Sequence, residues 1–322
     1  MVDAERRVAY NKTKTKVKAR KSLLKQYAEN KYLLIMFLPA LLYFIIFKYI
    51  PMFGLLMSFQ DFNLKLGLFG SKWVGMKHFI YLTADPNFSI VLLNTFLISG
   101  LKILFGFPAP IILALVMNEI RVEKFKKITQ TITYLPHFFS WVLISGLIFS
   151  MLSPSTGIVN YLIQLAGGKP IFFMAEKSYF VPIIVITDIW KELGWGSVIY
   201  MAALAGLSME VYEAATIDGA NRFQQMLFIT LPGIMSTIAV MLILRVGSVL
   251  EAGFDQIFNM YSPPVYDVSD IIDTYIYRMG LQNFKYSLSA AAGMFKSVVG
   301  FTLVIATNYI TKKISSGETG IW

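Results

Sequence analysis

Few side chains in this sequence are equipped for covalent chemistry. There is no cysteine among the 322 residues, which excludes disulfides, zinc–thiolate and iron–sulfur sites and thiol catalysis. The two histidines, His78 and His137, are far apart, and no His-Glu-x-x-His pattern occurs, so no metal site is expected. A phosphate-gripping Gly-x-x-x-x-Gly-Lys-Ser/Thr loop is also missing. Gly168-Lys169 is followed by Pro170, and Ile163 stands where the first glycine would be. What remains is a scatter of charges inside otherwise apolar runs: Lys48, Lys102, Lys191-Glu192, Arg245 and Lys296. A charge at the bilayer centre costs a few kcal/mol and usually faces a cavity or a partner. Arg245 and Lys296 therefore have two readings, a polar path through the membrane or a structural pair such as Arg245 with Glu251. Lys48 and Lys102 are expected to snorkel to the interface. Trp190, Trp195 and Tyr200 are read as interfacial aromatics or as rings on which a ligand could stack. Asp267, Asp270 and Asp273 are read as a solvated face or as a contact for an external protein.

The elements that position these residues follow from composition. Hydrophobic residues make up 56% of the chain and charged residues 15%, well below the ~25% charged of soluble domains. About 20 apolar residues span a hydrocarbon core. Six stretches are read as spans, at 32–59, 88–117, 128–152, 179–204, 232–250 and 287–310, with the fifth extendable to Phe258. Pro39, Pro51, Pro108, Pro110 and Pro182 are expected to kink them. The organisation is a basic tail (1–31), a six-helix membrane domain (32–311) and a short tail (312–322). Placing both ends inside puts 17 of the 29 Lys and Arg in cytoplasmic segments and 7 in external loops, as the positive-inside rule requires. The net charge of +10 is thereby explained by anionic lipid, not by nucleic acid. The apolar run after residue 31 is too long for a cleavable signal and lacks a small-residue cleavage pattern. The fold class is an all-α integral membrane bundle.

The connection at 205–232, AGLSMEVYEAATIDGANRFQQMLFITLP, is unusual for a linker. Ser208 is placed to cap a short helix, and Gly219 to end it. Phe223 and Leu227 fall on one face of a second turn, and Pro232 suits the start of the fifth span. Glu213 beside the small residues Ala214 and Ala215 has the shape of a docking element. The alternative is an amphipathic helix resting on the membrane surface.

This connection resembles the cytoplasmic loop of permease subunits of binding-protein-dependent ABC importers. Their pattern is Glu-Ala-Ala, three residues, Gly, nine residues, Ile, one residue, Leu-Pro. Here it reads Glu213-Ala214-Ala215, Gly219, Ile229, Leu231-Pro232, with Asp218 before the glycine. Seven fixed positions match by chance on the order of once in a hundred million start sites. The stretches KYIPMFGLLMSFQDFN, SKWVGMKHF, YLPHFFSWVLISG, DIWKELGWGSVIYMAALAGL and YSLSAAAGMFKSVVGFTLVIATNYITKK, and the closing ETGIW, resemble the polysaccharide and oligosaccharide permease branch, which includes alginate-type and lipoprotein-linked sugar importers.

The resemblance implies a type I importer permease in a bacterial plasma membrane, with no cofactor or catalytic residue of its own. ATP would be used by two separate ATPase subunits whose grooves receive the 205–232 helix. A second homologous permease would complete the path, most simply as a heterodimer, and an external solute-binding protein would deliver the solute. Arg245, Lys296, Trp190 and Tyr200 would then be candidates for a path suited to an anionic saccharide. An ion-coupled secondary transporter would use intramembrane carboxylates and internal repeats and would leave the loop unexplained. A membrane enzyme would need a convergent catalytic set. An importer of the same kind for a non-sugar solute fits the loop equally well.

Overall fold

The computed structural model describes residues 30–314. Residues 1–29 of the basic tail and the closing ETGIW lie outside the described residues, as do the chain ends on which the placement of both termini rests. The chain divides into two compact units, residues 1–54 and 55–322. In the first, helix Lys31–Phe44 continues through a wide turn at Ile45–Tyr49 to Ile50–Met52. None of these residues is buried within the chain, and Lys48 is exposed. A helical run of this length and hydropathy is long enough to cross a membrane.

Among the described residues, three of the four wide turns end two residues before a proline: Ile45–Tyr49 before Pro51, Lys102–Gly106 before Pro108, and Met226–Thr230 before Pro232. Proline has no N–H to donate, and its ring presses on the carbonyl four residues back. A turn widened by one residue relieves that pressure while the helix continues. The run Pro86–Glu119 therefore stays one long candidate span despite Pro108 and Pro110.

The second unit is a helical bundle with two other long elements, Lys177–Leu204 and Tyr286–Ile314. Two expected spans are broken. Glu123–Phe138 and Trp141–Leu152 meet at 103°, because Pro136 sits in a tight turn and Ser140, with extended backbone, caps the new helix by accepting from Leu143 N–H at 3.4 Å. The fifth begins earlier than Pro232. Asn221 and Gln224 form a capping box that starts the helix at Arg222; it runs through Gly233 and bends by 59° into Met235–Gly247. It does not extend to Phe258. Gly253, at φ +98°, begins the separate helix Phe254–Met260. Among the described residues, three helices are long and apolar enough to cross a membrane, or up to six if each bent pair counts as one span.

Three apolar clusters hold the unit together. Phe88, Tyr275 and Leu288 belong to one, Ile98, Phe180 and Ile257 to the second, and Ile111, Tyr200 and Ile234 to the third. The connection at 254–283 is folded onto the bundle. Asn94 Nδ2 donates to the Asp267 and Asp270 carbonyls at 2.9 and 3.2 Å, and the Ile272 N–H to Thr95 Oγ1 at 2.9 Å. Asn160 ties another connection, bonding the carbonyls of Leu152, Ser153 and Ile171 and accepting from the Ile171 N–H.

Candidate functional site: an elbow and a buried charge network

After Leu204 the chain turns through 77° into the helix Met209–Ile217. Ser208 Oγ accepts the Glu210 N–H at 3.3 Å and starts it. Gly219, at φ +82°, ends it. The Gly219 N–H reaches the Thr216 carbonyl, and the Ala220 N–H reaches that of Ala215, satisfying carbonyls a helix end would leave orphaned. Asn221 starts the next helix at once, so two helices meet at an elbow. Side chains brace it: Tyr212 Oη donates to Thr230 Oγ1 at 2.9 Å, and Gln225 Nε2 to Thr216 Oγ1 at 2.9 Å. Thr230 is buried. Arg222 pairs with Glu119, at the end of the second long run, at 3.2 Å.

The elbow is rooted in the third apolar cluster, where Leu207, Met226 and Leu231 pack. A Cβ at Gly233 would fall 2.7 Å from Leu207 Cδ2, so the two arms approach closely there. Its outer face is open. Glu213, Ala214, Asp218 and Gly219 are exposed, Ala215 and Ile229 are half-buried, and Pro232 is exposed. Ile217 is 87% exposed and Phe223 66%. Glu213, Ile217 and Arg222 border a cleft of about 520 Å³. A carboxylate among exposed apolar groups suits contact with a protein partner or with the membrane surface.

Inside the bundle, the intramembrane charges are paired in ways the sequence reading missed. Lys102 does not snorkel. It is 3% exposed, and its ammonium donates to Asp188 Oδ1 at 2.9 Å, the Ala252 carbonyl at 3.0 Å and Gln256 Oε1 at 2.5 Å. Gln256 Nε2 in turn bonds the Ile184 carbonyl and Thr187 Oγ1. All three ammonium hydrogens are used, as a buried lysine requires. Gly253 makes room, since a Cβ there would lie 2.8 Å from Lys102 Nζ. Arg245 faces Asp188 Oδ2 at 3.8 Å, not Glu251. Asp188 thus holds one buried and one half-exposed cation.

The four candidate path residues divide. Arg245 and Tyr200 border one cleft of about 210 Å³, together with Asp188 and Glu192. Lys296 borders another, bonded to Asp273 at 2.6 Å. Trp190 is 42% exposed and lines neither. Trp195 stacks on His137 at 4.8 Å, whose Nδ1 is 3.0 Å from Glu192, while Lys191 bonds the His137 carbonyl at 2.6 Å. The acidic trio is not one solvated face. Asp267 is exposed and pairs with Lys177, but Asp270 is buried against Arg278 and Thr274. Two isolated opposite charges in separate apolar runs, Lys102 and Asp188, were the available signal for the missed pair.

Residues 106–316 match the profile of the binding-protein-dependent transport system inner membrane component. The chain belongs to that family. It is similar to the polygalacturonan/rhamnogalacturonan transport system permease protein YteP of Bacillus subtilis, at 44% identity over 95% of both chains. Protein LplB of Bacillus subtilis is 47% identical over 88% of this chain and 89% of its own. Among solved structures, a chain of a bacterial ABC transporter importing the acidic polysaccharide alginate aligns with TM-score 0.85 and 42% identity. That alignment covers 91% of this permease and 99% of the other chain. A second structure of a bacterial alginate ABC transporter, in complex with an alginate pentasaccharide-bound periplasmic protein, aligns with TM-score 0.86 at 41% identity, covering 93% and 99%. This permease is therefore an all-α, multi-pass inner membrane component with the type I importer fold.

Proposed function

We propose that this permease forms half of the translocation path of an ATP-driven importer for oligo- or polysaccharides. Two separate ATPase subunits power the complex, and one of them receives this elbow through Glu213, Ala214, Ala215 and Asp218. Gly219 holds the bend, and Ile229, Leu231 and Pro232 carry motion into the bundle. A second homologous permease completes the path in a heterodimer, and an extracytoplasmic binding protein delivers the saccharide. The elbow and both chain termini face the cytoplasm.

The observation that carries this reading is mechanical. An exposed acidic and apolar helix is braced by Tyr212–Thr230 and Gln225–Thr216 and rooted in a cluster shared with Ile111 and Tyr200. Displacement of such an element is transmitted to the long helices instead of being absorbed in a loop. The saccharide assignment is supported by the substrates in the names of the relatives.

The test is uptake in proteoliposomes holding the whole complex and its binding protein. ATP on the elbow side without an ion gradient should drive saccharide accumulation. Accumulation driven by an ion gradient without ATP would overturn the proposal.

A further inference from the structure

Two clefts of about 630 and 610 Å³ are both lined by Tyr286. Both sizes fall in the ~300–1,000 Å³ range of small-molecule sites. The first holds Phe254 and Tyr277, whose ring centroids are 5.7 Å apart, with the Asp273–Lys296 pair and Glu251. The second holds Phe62, Phe284, the Asp61–Lys77 pair and Lys285. Within the second cleft Tyr286 meets Phe62 edge-on at 5.9 Å and Phe284 at 6.3 Å, and the same tyrosine borders the first.

Three features mark this groove as built for a ligand. Phe284 is held at φ +56°, where a bulky residue is strained, yet its ring is 68% exposed. Folding gains little from an exposed phenyl in that conformation. Lys296 lies ten residues into the last helix, about 15 Å along its axis, and a charged lining at that depth requires a wet or protein-covered face. Finally, each cleft carries paired groups, Asp273 with Lys296 in the first and Asp61 with Lys77 and His78 in the second, and one spare charge. Among the described residues, Glu251 in the first and Lys285 in the second have no side-chain hydrogen bond or ion pair.

Aromatic faces beside carboxylates and ammonium groups suit sugars. A pyranose lays its C–H face on a ring and directs pairs of hydroxyls to a carboxylate, while an ammonium takes a sugar carboxylate by a charge-assisted bond. The spare charges differ in sign, so the two halves are not equivalent. Resting on the saccharide reading above, we propose that the clefts flanking Tyr286 form one saccharide-binding groove, in which the Lys285 side takes a carboxylated sugar unit and the Glu251 side a neutral one.

The test compares three oligosaccharides of equal length in the reconstituted importer: all carboxylated, alternating carboxylated and neutral, and all neutral. Each variant is scored as a ratio to wild type, which cancels the preference of the binding protein. Lys285→Gln should raise the apparent KM roughly tenfold for both carboxylated ligands, the worth of one charge-assisted hydrogen bond, and far less for the neutral one. Glu251→Gln should lower the KM for the all-carboxylated ligand by relieving repulsion. Phe284→Gly, which keeps the backbone conformation but removes the ring, should weaken all three. Equal effects of Lys285→Gln on all three ligands, or no effect, with wild-type uptake intact, would overturn the groove alone. Wild-type uptake of none of the three would overturn the saccharide reading and the groove with it.

Discussion

Lys102 Nζ and Asp188 Oδ1 lie 2.9 Å apart within the bundle, joining two long helices and, through Gln256 and the Ala252 carbonyl, a third element. Breaking a buried ion pair by removing one partner costs ~3–5 kcal/mol, because the other charge stays buried. Asp188→Asn and Lys102→Met should each lower the thermal unfolding midpoint of the purified permease markedly. The double variant should recover much of the loss, because the charge left without its partner, Arg245, is half-exposed and not buried. Additive losses would show that the two residues act independently.

Gly253 tests the same site from the backbone. Its φ of +98° disfavours any side chain, and a Cβ would press on Lys102 Nζ. Gly253→Ala should destabilise by about 1–3 kcal/mol, read as a lower midpoint. The loss should shrink in a Lys102→Met background, where the ammonium is gone.

Gly194 marks the closest approach of two elements. A Cβ there would overlap the Thr133 carbonyl, so helix Lys177–Leu204 would have to separate from Glu123–Tyr134. Gly194→Ala should cost about 1–3 kcal/mol through overpacking and reduce the yield of folded protein in membranes. Unchanged yield and midpoint would mean that the two helices are free to part.

The elbow should show coupling defects distinct from folding defects. Glu213→Lys reverses an exposed charge and should leave the folded permease intact, since surface changes are usually within ±0.5 kcal/mol. It should reduce solute-stimulated ATP hydrolysis and uptake together. Gly219→Ala should cost about 1 kcal/mol of elbow stability through its positive φ and leave some uptake. Gly219→Pro, which also removes the N–H bonded to Thr216, should abolish uptake. Normal ATP-coupled uptake in Glu213→Lys, with normal assembly, would contradict the docking role.

What was legible in the sequence was local. Ser208 as a cap and Gly219 as a left-handed terminator each act within a few residues, and both stand as expected. Pro232 misled because a widened turn lets the helix run through it, while the capping box at Asn221 and Gln224 sets the start. Lys102 and Asp188 are 86 residues apart, so their pairing depends on how the helices pack, which periodicity does not encode. The same holds for Arg245, whose partner is on another helix, and for the cleft that brings Asp61 and Phe62 to Lys285 and Tyr286, more than 200 positions away. Position along an apolar run indicates depth in a membrane; it does not indicate which neighbour a charge faces.

In the proposed mechanism the elbow takes force from a separate ATPase. Because the chain has no cysteine, Ala214→Cys provides a single reactive site on the exposed face of the docking helix. Crosslinking from it in membranes containing the whole importer should capture the ATPase subunit, and ATP binding should change the rate of capture. Efficient uptake with no ATPase captured from Ala214 or from neighbouring elbow positions would contradict the account.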